Sequence, residues 1–311
     1  MKKLILVTGS KGLVGSAIKD ISKEYENKFE FYFSARENKF DDLTSYEETD
    51  SLFREVCPWG VLHCAGRIGG IQRNLNSPAQ QYTDNIMINT NVIDCAYKIG
   101  VEKLIAFSSV CAFPAKLDIL QEDKLHDGEP FPAHRSYAYS KRMVDIQLEA
   151  YKQQYGFNGC SLIPVNIFGP NDNYNFENGH IVPSLIHKCL LAKNEAMPLE
   201  VWGHGFAQRE FIFSRDLAKI CLEMLSFDEF PLRLIVPGPE YAINEIVSKI
   251  CNIMDHNNVK YLENMPDGQL RRPTDPTLFM KYFSNFKRTD IDNALEESIK
   301  WFENNYPNVR L

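Results

Sequence analysis

No apolar run in this chain approaches the roughly 18 residues that a membrane-crossing helix needs, so no membrane span is expected. Positive charge is in deficit: 34 Lys and Arg stand against 41 Asp and Glu, a formal net charge of −7 that argues against a nucleic-acid partner. The eight cysteines, at 57, 64, 95, 111, 160, 189, 221 and 251, never form a C-x-x-C pair. They are scattered through apolar and helical contexts, as reduced thiols of a cytoplasmic enzyme would be, and neither a disulfide framework nor a metal site is expected. There is no internal repeat and no low-complexity segment. What remains is a 44% hydrophobic chain of 311 residues, enough for one large α/β domain or a domain with an extra lobe.

Strands and helices alternate from the start. Lys2-Lys3 is a basic opening, but the apolar run Leu4-Ile5-Leu6-Val7 is too short for a signal peptide and ends in a glycine loop rather than a cleavage site. It reads as a buried parallel strand. Gly9-Ser10-Lys11-Gly12-Leu13-Val14-Gly15 follows, a G-x-x-G-x-x-G ahead of a helical pattern. Glycines there permit a tight turn and a close backbone approach to a pyrophosphate, which the helix N-terminus stabilises. Gly9, Lys11, Gly12, Leu13, Val14 and Gly15 are therefore cofactor-binding candidates. A second strand, Phe29 to Ser34, ends where NAD-preferring sites carry an acidic residue for the ribose diol. Here Arg36 stands near that place and, with Lys11, suits a 2′-phosphate, which favours NADP. Asp42 and Leu43 lie in the next loop, where an adenine would rest.

Val61 to Gly66 is a third strand and turn, with His63 read as a core histidine and Ala65 beside the cofactor. Gly69-Gly70-Ile71-Gln72-Arg73-Asn74 is too glycine-rich for a helix and reads as a substrate loop. A long helix runs from Gln80 to Ile99, and Lys103 to Ser109 is a fourth strand. This order predicts a Rossmann-like, doubly wound parallel sheet with ligands at the carboxyl ends of its strands.

The chemistry concentrates between Lys103 and Lys141. Tyr137 and Lys141 stand at i and i+4, on one face of a helix. A phenol, with a reference pKa of about 10, is a poor acid–base group at neutral pH, and a neighbouring ammonium is expected to pull it down. Ser109, at the end of a buried strand, can share the bond to a substrate carbonyl oxygen. Together the three move a proton on and off an oxygen while hydride moves at the carbon. Beyond them, Ser161 to Asn166 reads as a strand, Asn171 to His180 as a polar loop and Pro183 to Ala192 as a helix. Arg209 to Phe213 reads as a strand rejoining the main sheet. An NADP-binding domain is expected over 1–166, with a returning segment near 209–240, and a smaller, discontinuous substrate lobe mainly over 167–311.

Taken in order, Ser109-Val110-Cys111-Ala112-Phe113-Pro114, Tyr137 to Lys141, Asn166-Ile167-Phe168-Gly169-Pro170, Gly179-His180-Ile181-Val182-Pro183, Val201-Trp202-Gly203, Arg209-Glu210-Phe211 and Arg271-Arg272 resemble the extended short-chain dehydrogenase/reductases. Among them the chain is similar to the epimerase/reductases of GDP-4-keto-6-deoxy sugars. The resemblance implies that Ser109, Tyr137 and Lys141 form a reductase triad and that Cys111 and His180 are the base and acid of an epimerase. It implies cofactor contacts from Tyr137, Lys141, Asn166 and His180. Substrate contacts would come from Asn166, Lys188, Trp202, Arg209 and Arg272, with Arg271 a second possibility for the diphosphate. A homodimer through the helices from Gln80 and from Tyr137 is implied as well.

The chemistry agrees with this. Protons on C3 and C5 of a 4-keto sugar are acidified by the carbonyl, and epimerisation needs a base to remove each proton, an acid to return one on the opposite face and a donor to the enolate oxygen. The implied reaction is 3,5-epimerisation of GDP-4-keto-6-deoxy-D-mannose and its NADPH-dependent 4-reduction to GDP-L-fucose. The competing reading is a 4-reductase of a related GDP-4-keto-deoxy sugar with the epimerase pair unused. A 4,6-dehydratase is disfavoured because Val110-Cys111-Ala112 stands where that enzyme class carries Thr-Asp-Glu.

Overall fold

The computed structural model describes residues 2–35, 42–176, 178–265 and 269–311, and of Ile71 the backbone alone. Its first half alternates as the sequence suggests: β1 (Lys3–Thr8), α1 (Leu13–Ile21), β2 (Phe29–Phe33), α2 (Tyr46–Val56), β3 (Gly60–His63), α3 (Ile71–Asn76), α4 (Pro78–Ile99), β4 (Lys103–Phe107) and α5 (Arg135–Tyr155). β5 (Gly159–Pro164), β6 (Asn166–Phe168), α6 (Ile181–Asn194), β7 (Leu199–Trp202), β8 (Gln208–Phe213) and α7 (Ser214–Met224) follow. The chain closes with β9 (Arg233–Val236), β10 (Glu240–Ala242), α8 (Ile243–Ile253), β11 (Val259–Leu262), α9 (Thr277–Tyr282) and α10 (Ile291–Asn305).

Six parallel strands form the main sheet in the order β2-β1-β3-β4-β5-β9. Ile5, Leu6 and Val7 of β1 and Leu104, Ile105 and Ala106 of β4 are wholly buried, because helices cover both faces. The strand order reverses at β1, so the crevice between the carboxyl ends of β1 and β3 is the topological switch point at which such sheets bind ligands. Glycines end the two long helices that flank the sheet: Gly100 after α4 and Gly156 after α5 take φ of +82° and +70°. Among the described residues no helix is long and apolar enough to cross a membrane.

The fold departs from the sequence pattern at three places. Residues 71–76 are helical: Gly69 and Gly70 lie ahead of α3, with Gly70 as its N-cap, so the glycines end a turn rather than break a helix. The Arg209–Phe213 strand does not rejoin the main sheet. As β8 it sits between β10 and β6 in a separate three-stranded sheet, and β9 makes the return. The reason is side-chain alternation: Phe211 and Phe213 face a second core with Phe168, Val182 and Ile246, whereas Ile212 faces the main core with Leu162 and Leu217. Finally, Ser161 to Asn166 is not one strand. It breaks at Val165, and Asn166 already pairs with Phe211 of the smaller sheet.

Candidate active site

The glycine loop is held tight by backbone packing. Gly9 takes φ +66°, and a Cβ there would stand 2.7 Å from the Ala65 Cα. At Gly15 it would stand 2.4 Å from the Gly9 carbonyl oxygen. At Gly12 only the Gly9 oxygen, at 3.3 Å, lies within 4 Å, so the loop is open there. Gly12 is also the N-cap of α1 and offers no side chain to its first amides. An open loop, a tight turn and uncapped amides at the switch point fit a dinucleotide pyrophosphate. Leu13 and Val14 begin α1 behind them.

The Asp42 carboxylate accepts from Thr44 N at 3.0 Å and from Thr44 Oγ1 at 2.6 Å, and Asn91 Nδ2 donates to the Leu43 and Thr44 carbonyls. This fixes the loop expected under an adenine. Arg36, and the 2′-phosphate contact expected of it, lies outside the described residues. His63 is a core residue, with Nδ1 2.7 Å from Thr8 Oγ1 and Nε2 3.1 Å from Asn89 Oδ1. Burial, with the Lys141 charge nearby, drives its pKa down to about 3.

β4 delivers Ser109 in extended conformation, and a 3₁₀ turn over Val110–Ala112 follows. Ser109 Oγ accepts from Cys111 N at 3.2 Å and is in side-chain hydrogen-bond contact with the Tyr137 hydroxyl. The turn is pinned from α5: Arg142 Nε donates to the Ala112 carbonyl at 2.6 Å and Nη2 to that of Gly128 at 2.7 Å. Lys141 Nζ donates to the Phe107 carbonyl at 2.9 Å and lies 5.9 Å from the Tyr137 ring centroid. Both side chains are buried, Tyr137 at 7% and Lys141 at 2% exposure.

That burial corrects the expected electrostatics. Desolvation lowers the Lys141 ammonium to about 8, against a favourable effect of Cys64. The Tyr137 phenol is pushed up rather than pulled down, by desolvation first and by Cys111 second, with the Ser109 contact opposing. The lysine spends its proton on a backbone carbonyl, and the phenol stays protonated.

Cys111 has neighbours that are distant from it in the sequence. Burial raises its thiol, but a side-chain hydrogen bond with His134, the His134 charge, the Ser109 contact and the Arg272 charge outweigh this and bring it below the ordinary thiol value. His134 is pulled down by burial and more than restored by Cys111, so it ends above the ordinary imidazole value. It precedes Tyr137 by three residues, on the short turn that leads straight into α5. That i, i+3 spacing before the tyrosine was the available signal. Arg272 Nη2 donates to the Pro114 carbonyl at 2.6 Å, and Arg209 is near enough to depress it electrostatically after burial has done so. Arg209 Nη1 donates to the Gln208 and Gln269 carbonyls, each at 2.7 Å. Glu210, the neighbour of Arg209 on β8, accepts from Thr274 N at 2.6 Å, Thr274 Oγ1 at 2.7 Å and Gly238 N at 3.1 Å. It ties the Arg272 segment to the sheet. Arg271 is paired at the surface with Glu240 at 2.8 Å.

The remaining candidates fall into other groups. Asn166 Nδ2 donates to the Glu210 carbonyl at 2.8 Å. Trp202 is 59% exposed, not core, with Lys188 Nζ 5.8 Å from its ring centroid. His180 is the exposed N-cap of α6 and lies by Asp172, whose carboxyl is raised by burial against the His180 charge. The Asn178 carbonyl of the same loop accepts from Gly70 N at 2.8 Å, which joins the His180 loop to the start of α3.

The match to known proteins runs through all of these elements. The model of the NAD dependent epimerase/dehydratase family matches residues 5–232. A GDP-L-fucose synthase of Dictyostelium discoideum is 34% identical, over 99% of this chain and 98% of its own. A probable GDP-L-fucose synthase of Drosophila melanogaster is 33% identical over 100% of both. Among solved structures, a GDP-L-fucose synthetase from Naegleria fowleri bound to NADP superposes with a TM-score of 0.92 at 31% identity, covering 99% of this chain and 95% of that one.

Proposed function

The chain belongs to the NAD dependent epimerase/dehydratase family, and we propose on that footing that it makes GDP-L-fucose: it epimerises C3 and C5 of GDP-4-keto-6-deoxy-D-mannose and reduces C4 with NADPH. The observation that carries this is the Ser109–Tyr137 contact with the Cys111 thiol beside it, a pair that can hold a carbonyl oxygen next to a group able to take a proton from the adjacent carbon. The glycine loop, the Asp42–Leu43 loop and Ala65 would hold NADP at the switch point. NADPH, when bound, supplies hydride to C4.

The chain's own residues do the rest. Ser109 and Tyr137 hold the C4 oxygen, which carries the negative charge of the enolate whenever a C3 or C5 proton has left. Cys111, as thiolate, takes that proton, and His180 returns one on the opposite face. In the reduction the carbonyl electron pair moves to oxygen and Tyr137 donates the proton that neutralises it. A phenol held protonated by burial is in the right state for that step. Arg209 and Arg272 would pair the diphosphate, as bidentate guanidinium groups do. Trp202 and Lys188 would lie along the substrate, and the enzyme would work in the reducing cytoplasm, where its thiols stay free.

Exposed Tyr82, Met87 and Ile146 on α4 and α5 support a homodimer through these helices; a monomeric mass in light scattering at micromolar concentration would refute it. The activity is tested by incubating the protein with GDP-4-keto-6-deoxy-D-mannose and NADPH in D₂O and recording proton NMR spectra. Deuterium at C3 and C5 with a GDP-L-fucose spectrum is expected. NADPH consumption without deuterium would leave a simple 4-reductase, and no consumption would mean another keto sugar.

A further inference from the structure

Epimerising two carbons with one thiol sets a problem the assigned residues do not solve. Cys111 must be a thiolate before it takes the first proton, and it must lose that proton before it can take the second. His180 belongs to the other face and to another cluster, beside Asp172. A second group has to empty the sulfur.

We infer that His134 is the positioning residue that does this, accepting the Cys111 thiol proton before each carbon is deprotonated. The inference rests on the epimerase reading above. Its geometry is independent of that reading. The His134 imidazole is in side-chain hydrogen-bond contact with the Cys111 thiol. Its Nε2 is buried without a hydrogen-bond partner. His187 and His256 also carry a buried, unpartnered Nε2, and His63 is held on both ring nitrogens, by Thr8 and by Asn89; what sets His134 apart is that its ring meets the Cys111 thiol. Buried polar atoms are normally satisfied, and an orphan on a ring that touches the reactive sulfur marks a functional position.

The charges around the pair favour separation of the proton from the sulfur. Arg272 faces Cys111 from the segment beyond β11 and stabilises a thiolate, while it opposes charge on His134. Ser109 contributes a hydrogen bond to the sulfur from the β4 side. Tyr137 faces the pair from α5 as a neutral phenol. The S–H bond breaks and the proton goes to the imidazole, leaving thiolate and imidazolium. The thiolate then takes the carbon-bound proton, and the C–H electron pair becomes the enolate. The imidazolium yields its proton to water, and the regenerated thiol hands its own to the neutral ring. No oxidant or other reactant is needed.

The test begins without sugar. Iodoacetamide alkylation of Cys111 in the full chain, followed by peptide mass spectrometry across pH, reads thiolate directly. In the wild-type protein alkylation is expected to set in below the ordinary thiol range of about 8.5. In His134→Gln the midpoint should rise by about one pH unit, so that the rate at pH 7 falls about tenfold. Deuterium entry at C3 and C5 should fall by a similar factor at pH 7 and recover as the pH is raised, a rescue that mere structural damage would not give. An ordinary midpoint in the wild-type protein overturns the inference with no variant needed, as does an unchanged midpoint in His134→Gln. A shifted midpoint with no sugar-proton exchange in the wild type would leave the thiol–imidazole pair standing and overturn the epimerase reading, and with it the proton-transfer role.

Discussion

Tyr137 and Lys141 show how far a sequence pattern reaches and where it stops. Their spacing correctly predicts a shared helix face, and Ser109 does meet the tyrosine. The spacing does not contain desolvation, which acts on both groups and reverses the expected effect on the phenol. His134 is harder to read: its spacing of three before Tyr137 is the one local hint, and nothing in that spacing points to Cys111 until the turn folds against it. Tyr137→Phe should lower the rate of NADPH oxidation by about 10²–10⁴-fold, since the proton donor is lost, yet keep measurable deuterium exchange at C3 and C5 because Ser109 still meets the oxygen. Lys141→Met should stabilise the cofactor-free protein at pH 7 while abolishing reduction. The sign follows from linkage. The folded pKa, about 8, lies below the ordinary 10.5, so below pH 8 the charge is buried at full cost, and that cost fades as pH rises from 8 to 10.5. Thermal unfolding should show a gain of about 1–3 kcal/mol at pH 7 that shrinks over that window. A loss of stability at pH 7 would mean that the bond to the Phe107 carbonyl outweighs the desolvation.

At the scale of elements, the pieces that could be read were those whose chemistry is local. The glycine loop, the apolar strands and the long helices follow from backbone freedom and hydrophobic periodicity, which a window of sequence contains. α3 was lost because two glycines read as breakers when they are its approach and cap. β8 was placed in the wrong sheet because Phe211-Ile212-Phe213 is apolar on both faces, and nothing local says that the two faces meet different cores. The glycine loop offers the cleanest check of an element. Gly9→Ala puts a Cβ on a backbone with φ +66° and against Ala65 at 2.7 Å. It should cost about 1–3 kcal/mol in denaturant unfolding and weaken NADPH binding in a fluorescence titration. Unchanged NADPH affinity would count against this loop as the pyrophosphate site.

Across the whole molecule, the candidate site draws on both cores. Ser109, Cys111 and Tyr137 stand at the carboxyl edge of the main sheet, while Arg209 comes from the smaller sheet and Arg272 from the segment that Glu210 anchors. Which residues would meet there depends on long-range pairing that spacing cannot supply, and so the arginines could be nominated from the sequence but not grouped with the thiol. Glu210→Ala should test this dependence. It leaves the amides of Thr274 and Gly238 without their acceptor and should cost about 1–3 kcal/mol. Steady-state kinetics should show a raised KM for the GDP-sugar with the KM for NADPH little changed. If both rise together, Glu210 serves general stability rather than the placing of Arg272.

β8 has one further consequence, for anyone who would graft a different sugar specificity onto this enzyme. Its odd-numbered side chains Phe211 and Phe213 belong to one core and its even-numbered Ile212 to the other. The strand is thus a party wall rather than a hinge, and no cut along it separates one half of the enzyme from the other. A chimera that takes its recognition half from another enzyme will hold together only if this strand is written as a hybrid, with donor residues at 211 and 213 and the recipient's isoleucine at 212.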